Sequence, residues 1–292
     1  MVVTRRTAAG LAVALLLCGC SDSAPSEPLD REAPGARPVA LADADGAGYA
    51  WRFSVAPDGR TALMARSDGF FPQTRDSSIY ELTRQPDGFW GEGTEVSFVD
   101  GSSSDIDPVH DASGSRVWFS SIRPVDGRPR KDVDVWYADR RPDGSWGQAV
   151  HVPQASSPGD DLYPSIDRDG SLLVGSDRSG SGFDIWRVPR LPSGGWAAAA
   201  PLPEPVTTSG WEFNPAVTPD GAALVFTARS RSGGAGEGDL FVTRAQAGGW
   251  SDPVPVEAAN TAADEYHPSF SPDGSTLYFV RRGTLHEVPW AG

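Results

Sequence analysis

Only two cysteines occur in 292 residues, Cys18 and Cys20, so the rest of the chain has no disulfide to draw on and must be stabilised by packing. Lysine occurs once, as Lys131, and 25 Lys plus Arg stand against 39 Asp plus Glu, a formal net charge of −14. A surface of that sign repels phosphate backbones and anionic headgroups, which argues against a nucleic-acid partner. The four histidines are scattered, and HExxH, GxSxG and zinc-spaced Cys pairs are all missing. Zinc-protease, α/β-hydrolase and zinc-ribbon chemistry therefore have no support. The apolar run from Ala8 to Cys18 is too short to cross a bilayer as a helix.

That run follows two arginines and ends in Leu17-Cys18-Gly19-Cys20, the pattern of an export leader. Its end resembles the bacterial lipobox, which implies residues 1–19 as signal peptide, Cys20 as the lipidated mature N-terminus and a mature domain held in the periplasm by its lipid. An ordinary secretory signal with two incidental cysteines is the competing reading. Cleavage before Cys20 removes two arginines and takes the net charge to −16. Residues 20–37, rich in Pro, Ser, Ala and acid without apolar periodicity, read as a flexible tether.

From residue 38 to 292 one pattern recurs. A Gly ends a tight turn at Gly59, Gly114, Gly170, Gly221 and Gly274, at spacings of 55, 56, 51 and 53. In turns such as Pro272-Asp273-Gly274, Pro presets φ, Asp bonds nearby backbone and Gly takes the left-handed position. Around each turn lie four strand signals, including Asp134-Val135-Trp136, Asp184-Ile185-Trp186 and Asp239-Leu240-Phe241 in third strands. A second Gly-rich turn then ends in Trp90, Trp146, Trp196 or Trp250. Four strands at a period near fifty predict an all-β, five-bladed propeller of four-stranded antiparallel blades. The fifth unit has only three strands at its C-terminal end, so residues 38–41 are expected to supply the fourth and close the ring. An open array completed by a partner chain is the alternative.

The run NTAADEYHPSFSPDGSTLYF, ending at Phe279, and its four cognates resemble the WD-repeat-like propeller repeat of TolB and related periplasmic proteins. The resemblance covers nearly all of the chain after the tether. It implies a propeller in the cell envelope, and members of this broad class serve as interaction platforms, glycan-active enzymes or gating domains. The chain departs from TolB itself, which has six blades and an additional N-terminal domain.

Aligned on Pro108, Pro164, Pro215 and Pro268, four units place an acid three residues earlier: Asp105, Asp161, Glu212 and Glu265, with Ala50 in the first. These carboxylates are expected at one mouth of the channel. One reading makes them a cation site, for which calcium would suit the oxygen donors; the other pairs each with an arginine of a neighbouring blade, Arg178, Arg229 and Arg282 being placed for it. The residue before each Pro diverges, as Arg52, Asp107, Tyr163, Asn214 and His267, and these five are the candidate ligand contacts, with solvated loop ends as the bland alternative. His110 stands where other units carry Ile166, Val217 and Phe270, and reads as a core histidine. The tryptophans after the second turns read as packing residues rather than sugar platforms. Asp43-Ala44-Asp45-Gly46 lacks the later ligands of a calcium loop.

The expectation is a monomeric, non-catalytic, lipid-anchored platform without catalytic residues, resident metal or cofactor, whose partner is an envelope protein or peptidoglycan component. A glycan-binding or glycan-cleaving propeller using the mouth carboxylates is the alternative. The variable loops share a face with the blade-to-blade crossings, and the loop from Arg123 to Lys131 gathers four cations there.

Overall fold

A computed structural model describes residues 35–42, 49–68, 77–96, 98–99 and 104–291. The leader, Cys20, the tether through residue 34, the run 43–46 and most of the loop after Asp68 lie outside the described residues.

The chain opens on β1 (Arg37–Pro38) and then builds five sheets in order. Blade one is β2 (Tyr49–Val55), β3 (Thr61–Ser67), β4 (Ser77–Thr83) and β5 (Thr94–Glu95). Blade two is β6 (Asp105–His110), β7 (Arg116–Ser121), β8 (Asp134–Asp139) and β9 (Val150–His151). Blade three is β10 (Asp161–Ile166), β11 (Leu172–Ser176), β12 (Asp184–Val188) and β13 (Ala200–Pro201). Blade four is β14 (Trp211–Val217), β15 (Ala223–Arg229) and β16 (Gly238–Gln246), whose outer edge meets both β17 (Gly249–Trp250) and β18 (Val254–Pro255). Blade five is β19 (Glu265–Phe270), β20 (Thr276–Arg281) and β21 (Thr284–Pro289), with β1 as its fourth strand. The pairings within every sheet are antiparallel, and no helix occurs among the described residues. The result is a five-bladed β-propeller.

The closing strand sits close to where the repeat logic puts it. Arg37 pairs with Glu287 and Pro38 with His286, and the Val39 amide donates to the Leu285 carbonyl at 3.0 Å. Leu41 has already left blade five, bridging to Trp90 on blade one. Four residues thus join the last sheet to the first.

Second strands explain why the ring must close. In β3, Ala62 and Met64 enter one apolar cluster with residues of blade five, while Leu63 and Ala65 enter another with residues of blade two. The same division recurs in β15, where Val225 faces blade five and Leu224 and Phe226 face blade three, and in β20 with Phe279 and Tyr278. The alternation is not apolar against polar, because both faces are apolar and each packs on a different neighbour. Five clusters fill the five junctions.

The first turns of the blades, Pro-Asp-Gly in three of the five, work as their chemistry predicts. Their glycines have φ from 67° to 80°, and Asp58, Asp220 and Asp273 each accept the amide of the residue two further on at 2.8–3.0 Å. First and third turns share one face, as the Trp196 indole donating to the Gly170 carbonyl shows. Second loops and crossings share the other, where the Asp160 amide donates to Asp177.

If the short N-terminal strand closes the ring, a charge in its buried contact should open the seam. Val39→Asp places a carboxylate among Phe53, Trp90, Tyr278 and Leu285. It should lower unfolding stability by roughly 2–4 kcal/mol in a urea titration followed by tryptophan fluorescence.

Candidate functional site at the axis of the ring

The five first strands share an irregularity. Each pairing with its second strand slips register in the middle, between Ala50 and Phe53, Ile106 and Val109, Leu162 and Ser165, Phe213 and Ala216, and Tyr266 and Ser269. In blades two to five the bulged residue is left-handed, with φ of 56° at Asp107, 60° at Tyr163, 52° at Asn214 and 55° at His267. Such backbone is uncommon away from glycine, though Asn, Asp and His tolerate it best.

The divergent residues converge. His267 Nδ1 lies 3.1 Å from Asp107 Oδ1 across the ring and 3.1 Å from Asn214 Nδ2 beside it. Its ring meets Trp51 at 5.0 Å and Tyr163 at 5.6 Å between centroids. Arg52 extends along the axis, one guanidinium nitrogen donating to the Pro164 carbonyl at 2.8 Å and the other to Pro268 at 3.0 Å and to Pro215. The bulge takes these carbonyls out of the ladder, and a planar fork of donors satisfies several at once.

These five are not solvated loop ends. Arg52, Asp107, Asn214 and His267 are buried, Asp107 completely, and Tyr163 is half-buried. Burial pulls the Arg52 guanidinium down to about 10 against the opposing attraction of Asp107, so it stays charged at neutral pH. The same burial, reinforced by Asp107, pushes the Tyr163 phenol far above its ordinary range. The axis is filled by the protein's own side chains, with neither Asp107 oxygen in an aligned hydrogen bond.

The acids three residues before the prolines are committed elsewhere. Asp105 meets Arg123 at 2.6 Å, Asp161 meets Arg178 at 2.5 Å, Glu212 meets Arg231 at 3.3 Å and Glu265 meets Arg281 at 2.7 Å. Each arginine comes from the acid's own blade, not a neighbouring one, and in blades four and five it is Arg231 and Arg281 rather than Arg229 and Arg282. Strand length accounts for the offset: Arg229 ends β15 and lies over Trp211, and Arg282 sits in a turn with φ of 50°. Each clamping arginine also donates to the incoming crossing, at the carbonyls of Phe98, Ala155, Val206 and Ala259. In three blades a hydroxyl residue four positions before the acid completes the clamp, Ser157, Thr208 and Thr261 donating to it through both amide and hydroxyl. Burial pushes the Asp161 and Glu265 carboxyls upward despite these donors. Among the described residues no cluster of His, Cys, Asp and Glu suits a metal ion.

Other candidates fall into structural places. His110 bonds Ser54 through Nδ1 at 3.1 Å, and burial holds it down to about 4, so it is neutral. Trp90 and Trp146 are buried and close the third turns. Of the cations in the loop after blade two's second strand, Arg123 is buried on Asp105 and Arg130 is paired with Asp132 and Asp134.

One layer went unnoticed in the sequence. The residue before each acid, and before Ala50 in blade one, is Tyr49, Ser104, Asp160, Trp211 or Asp264; it lies at the first residue of the first strand or immediately ahead of it, on the crossing face, and also diverges. Tyr49 is 44% exposed, Asp160, Trp211 and Asp264 are half-buried, and Ser104 is buried. Alignment one position earlier would have found it. Burial and the neighbouring Asp177, Asp132 and Asp161 push Asp160 up to about 6, against the Val133 amide that it accepts at 3.0 Å.

No protein-family model matches the chain, and no curated protein does. Among solved structures it is similar to a protein assigned as TolB from Agrobacterium tumefaciens, at 17% identity and TM-score 0.53, over 80% of this chain and 70% of that one. It is similar to a thermostable family-43 glycoside hydrolase at 12% identity and TM-score 0.53, over 84% and 91%. A mannose phosphorylase from Leishmania mexicana aligns at 14% identity and TM-score 0.50, over 86% of each chain. The likeness is one of fold. It carries no activity across at these identities.

Arg52→Met should cost about 3–5 kcal/mol in chemical denaturation, because it strips three buried carbonyls of a donor and Asp107 of its countercharge. Arg52→Lys should recover little of the loss, since one ammonium cannot reproduce the fork. Asp160 gives a pH signature. Its raised folded-state value means that the cost of ionising it in the fold is absent below about pH 4, grows through about pH 6 and is complete above. Asp160→Asn should therefore raise stability at pH 8 relative to pH 4 by on the order of 1 kcal/mol, measured as the difference in urea midpoints between variant and wild type.

Proposed function

We propose that this chain is a non-catalytic, lipid-anchored propeller of a bacterial envelope, an interaction platform that binds a protein or cell-wall component on its crossing face. One observation carries the reading: the recurrent acids are consumed by arginine clamps that fasten each crossing to its blade. Hydrolysis of a glycosidic bond needs two carboxyls flanking it, roughly 5–10 Å apart and free to exchange protons. Here each acid is neutralised in place and turned toward its own blade.

The described chain begins at the tight-turn end of β21, where Ala36 packs beside Val288 and Trp290. The crossing face, with its second loops and divergent positions, lies at the opposite end of the blades and is the face on which the sequence varies.

The test is site-specific photocrosslinking of the full chain in its native envelope. A photoreactive residue at Trp211 or Tyr49 should give discrete adducts, and one at Phe89 or Leu191, exposed on the tight-turn face, should give none. Adducts confined to the tight-turn positions, or hydrolysis of a glycan abolished by Glu212→Gln, would overturn the proposal.

A further inference from the structure

The crossing-face layer offers an unusual mixture. In ring order, blades three, four and five carry Asp160, Trp211 and Asp264 at the entrance to their first strands, and blade one carries the exposed Tyr49. The two carboxylates are fixed by the preceding blades, Asp160 accepting the Val133 amide at 3.0 Å and Asp264 the Gly238 amide at 2.9 Å. Asp264 also accepts the Tyr266 hydroxyl at 3.0 Å. Trp211 stands 6.0 Å from Phe183, whose ring is 6.3 Å from Tyr163, so an aromatic chain runs from the rim to the axial plug. Under it lies Asp107, a fully buried carboxylate with both oxygens outside any aligned hydrogen bond.

Chemistry selects the occupant. The carboxylates fixed at this rim are acceptors, and Tyr266 spends its one donor on Asp264. Two carboxylates attract a cation more strongly than a neutral glycan, and an acidic segment would meet them in a chain of −14 overall charge. A cation satisfies both elements at once: its charge at the carboxylates, its aliphatic stem on the rings. Arg229, stacked over Trp211 at 5.5 Å, already shows this ring accepting a guanidinium. The clamping arginines next to the rim are spent on Asp161, Glu212 and Glu265 and leave these outer carboxylates uncompensated by them.

Resting on the platform reading above, we infer that the rim formed by Tyr49, Asp160, Trp211 and Asp264 docks a basic, extended segment of a partner protein, with Lys or Arg side chains seated among the rings and carboxylates. The segment crosses blades three to five above the plugged axis and does not enter it.

The probe is a fluorescein-labelled, unstructured peptide of Lys, Arg, Gly and Ser, titrated with the full chain by anisotropy. A Glu-substituted peptide of equal length and a maltooligosaccharide serve as comparisons. The basic peptide should bind, weaken with added salt, and lose about fivefold or more in affinity with Trp211→Ala and with Asp160→Asn. The asparagine keeps an acceptor for the Val133 amide, so that variant retains its fold, as an unchanged near-ultraviolet spectrum would verify. Asp143→Asn, an equal charge change in an exposed turn of the opposite face, should leave affinity unchanged. The inference fails if the rim variants bind as wild type, if Asp143→Asn costs as much, or if the oligosaccharide binds in their place. Loss of peptide binding with adducts still forming at position 211 would defeat the cationic chemistry alone; loss of those adducts would defeat the platform as well.

Discussion

A sheet that is apolar on both faces has to be covered twice, and every other feature of this molecule follows from that demand. The second strands send alternate side chains into opposite neighbours, Leu63 toward blade two and Met64 toward blade five. No single blade could be stable in water with two such faces bare. Neither could an open row, which would leave one at each end. Five sheets in a circle remove the problem, and the chain then needs only a way to join its last sheet to its first.

Closing the circle creates a second difficulty at its centre. Five inner edges meet there, and their bulges turn proline carbonyls toward an axis that water does not reach. Blade one resolves this by departing from the repeat. It has Phe53 where the other four carry proline, and Arg52 where they carry left-handed residues, and its guanidinium gathers three of the carbonyls. Broken symmetry here serves the fold. The crossings are handled in the opposite manner, with one solution repeated: acid, arginine and hydroxyl in blade after blade, each arginine lying over an aromatic ring such as Trp186 or Phe279.

Much of this was legible in the residues. The turn glycines and the missing fourth strand announced five blades and their closure, because turn chemistry is local and repetition makes it countable. The divergent position before each proline reads as a set of ligand contacts; the structure places these side chains against one another at the axis. What could not be read was their depth, since that depends on a left-handed residue rotating the side chain inward, and proline signals the bulge without giving its direction. Clamp partners were misread by one or two residues at Arg231 and Arg281, because second strands end at different lengths. The outer layer at Asp160 and Trp211 was passed over because the acid beside it repeats so plainly.

The seam between blades five and one has a mechanical meaning. Two paired residues, the Arg37–Glu287 ion pair, the Val39 amide and the buried Val39 side chain hold this short strand in place, and the chain ahead of Arg37 leads straight into them. A pull on that chain is therefore delivered first to the joint of the ring and only afterwards to the blades.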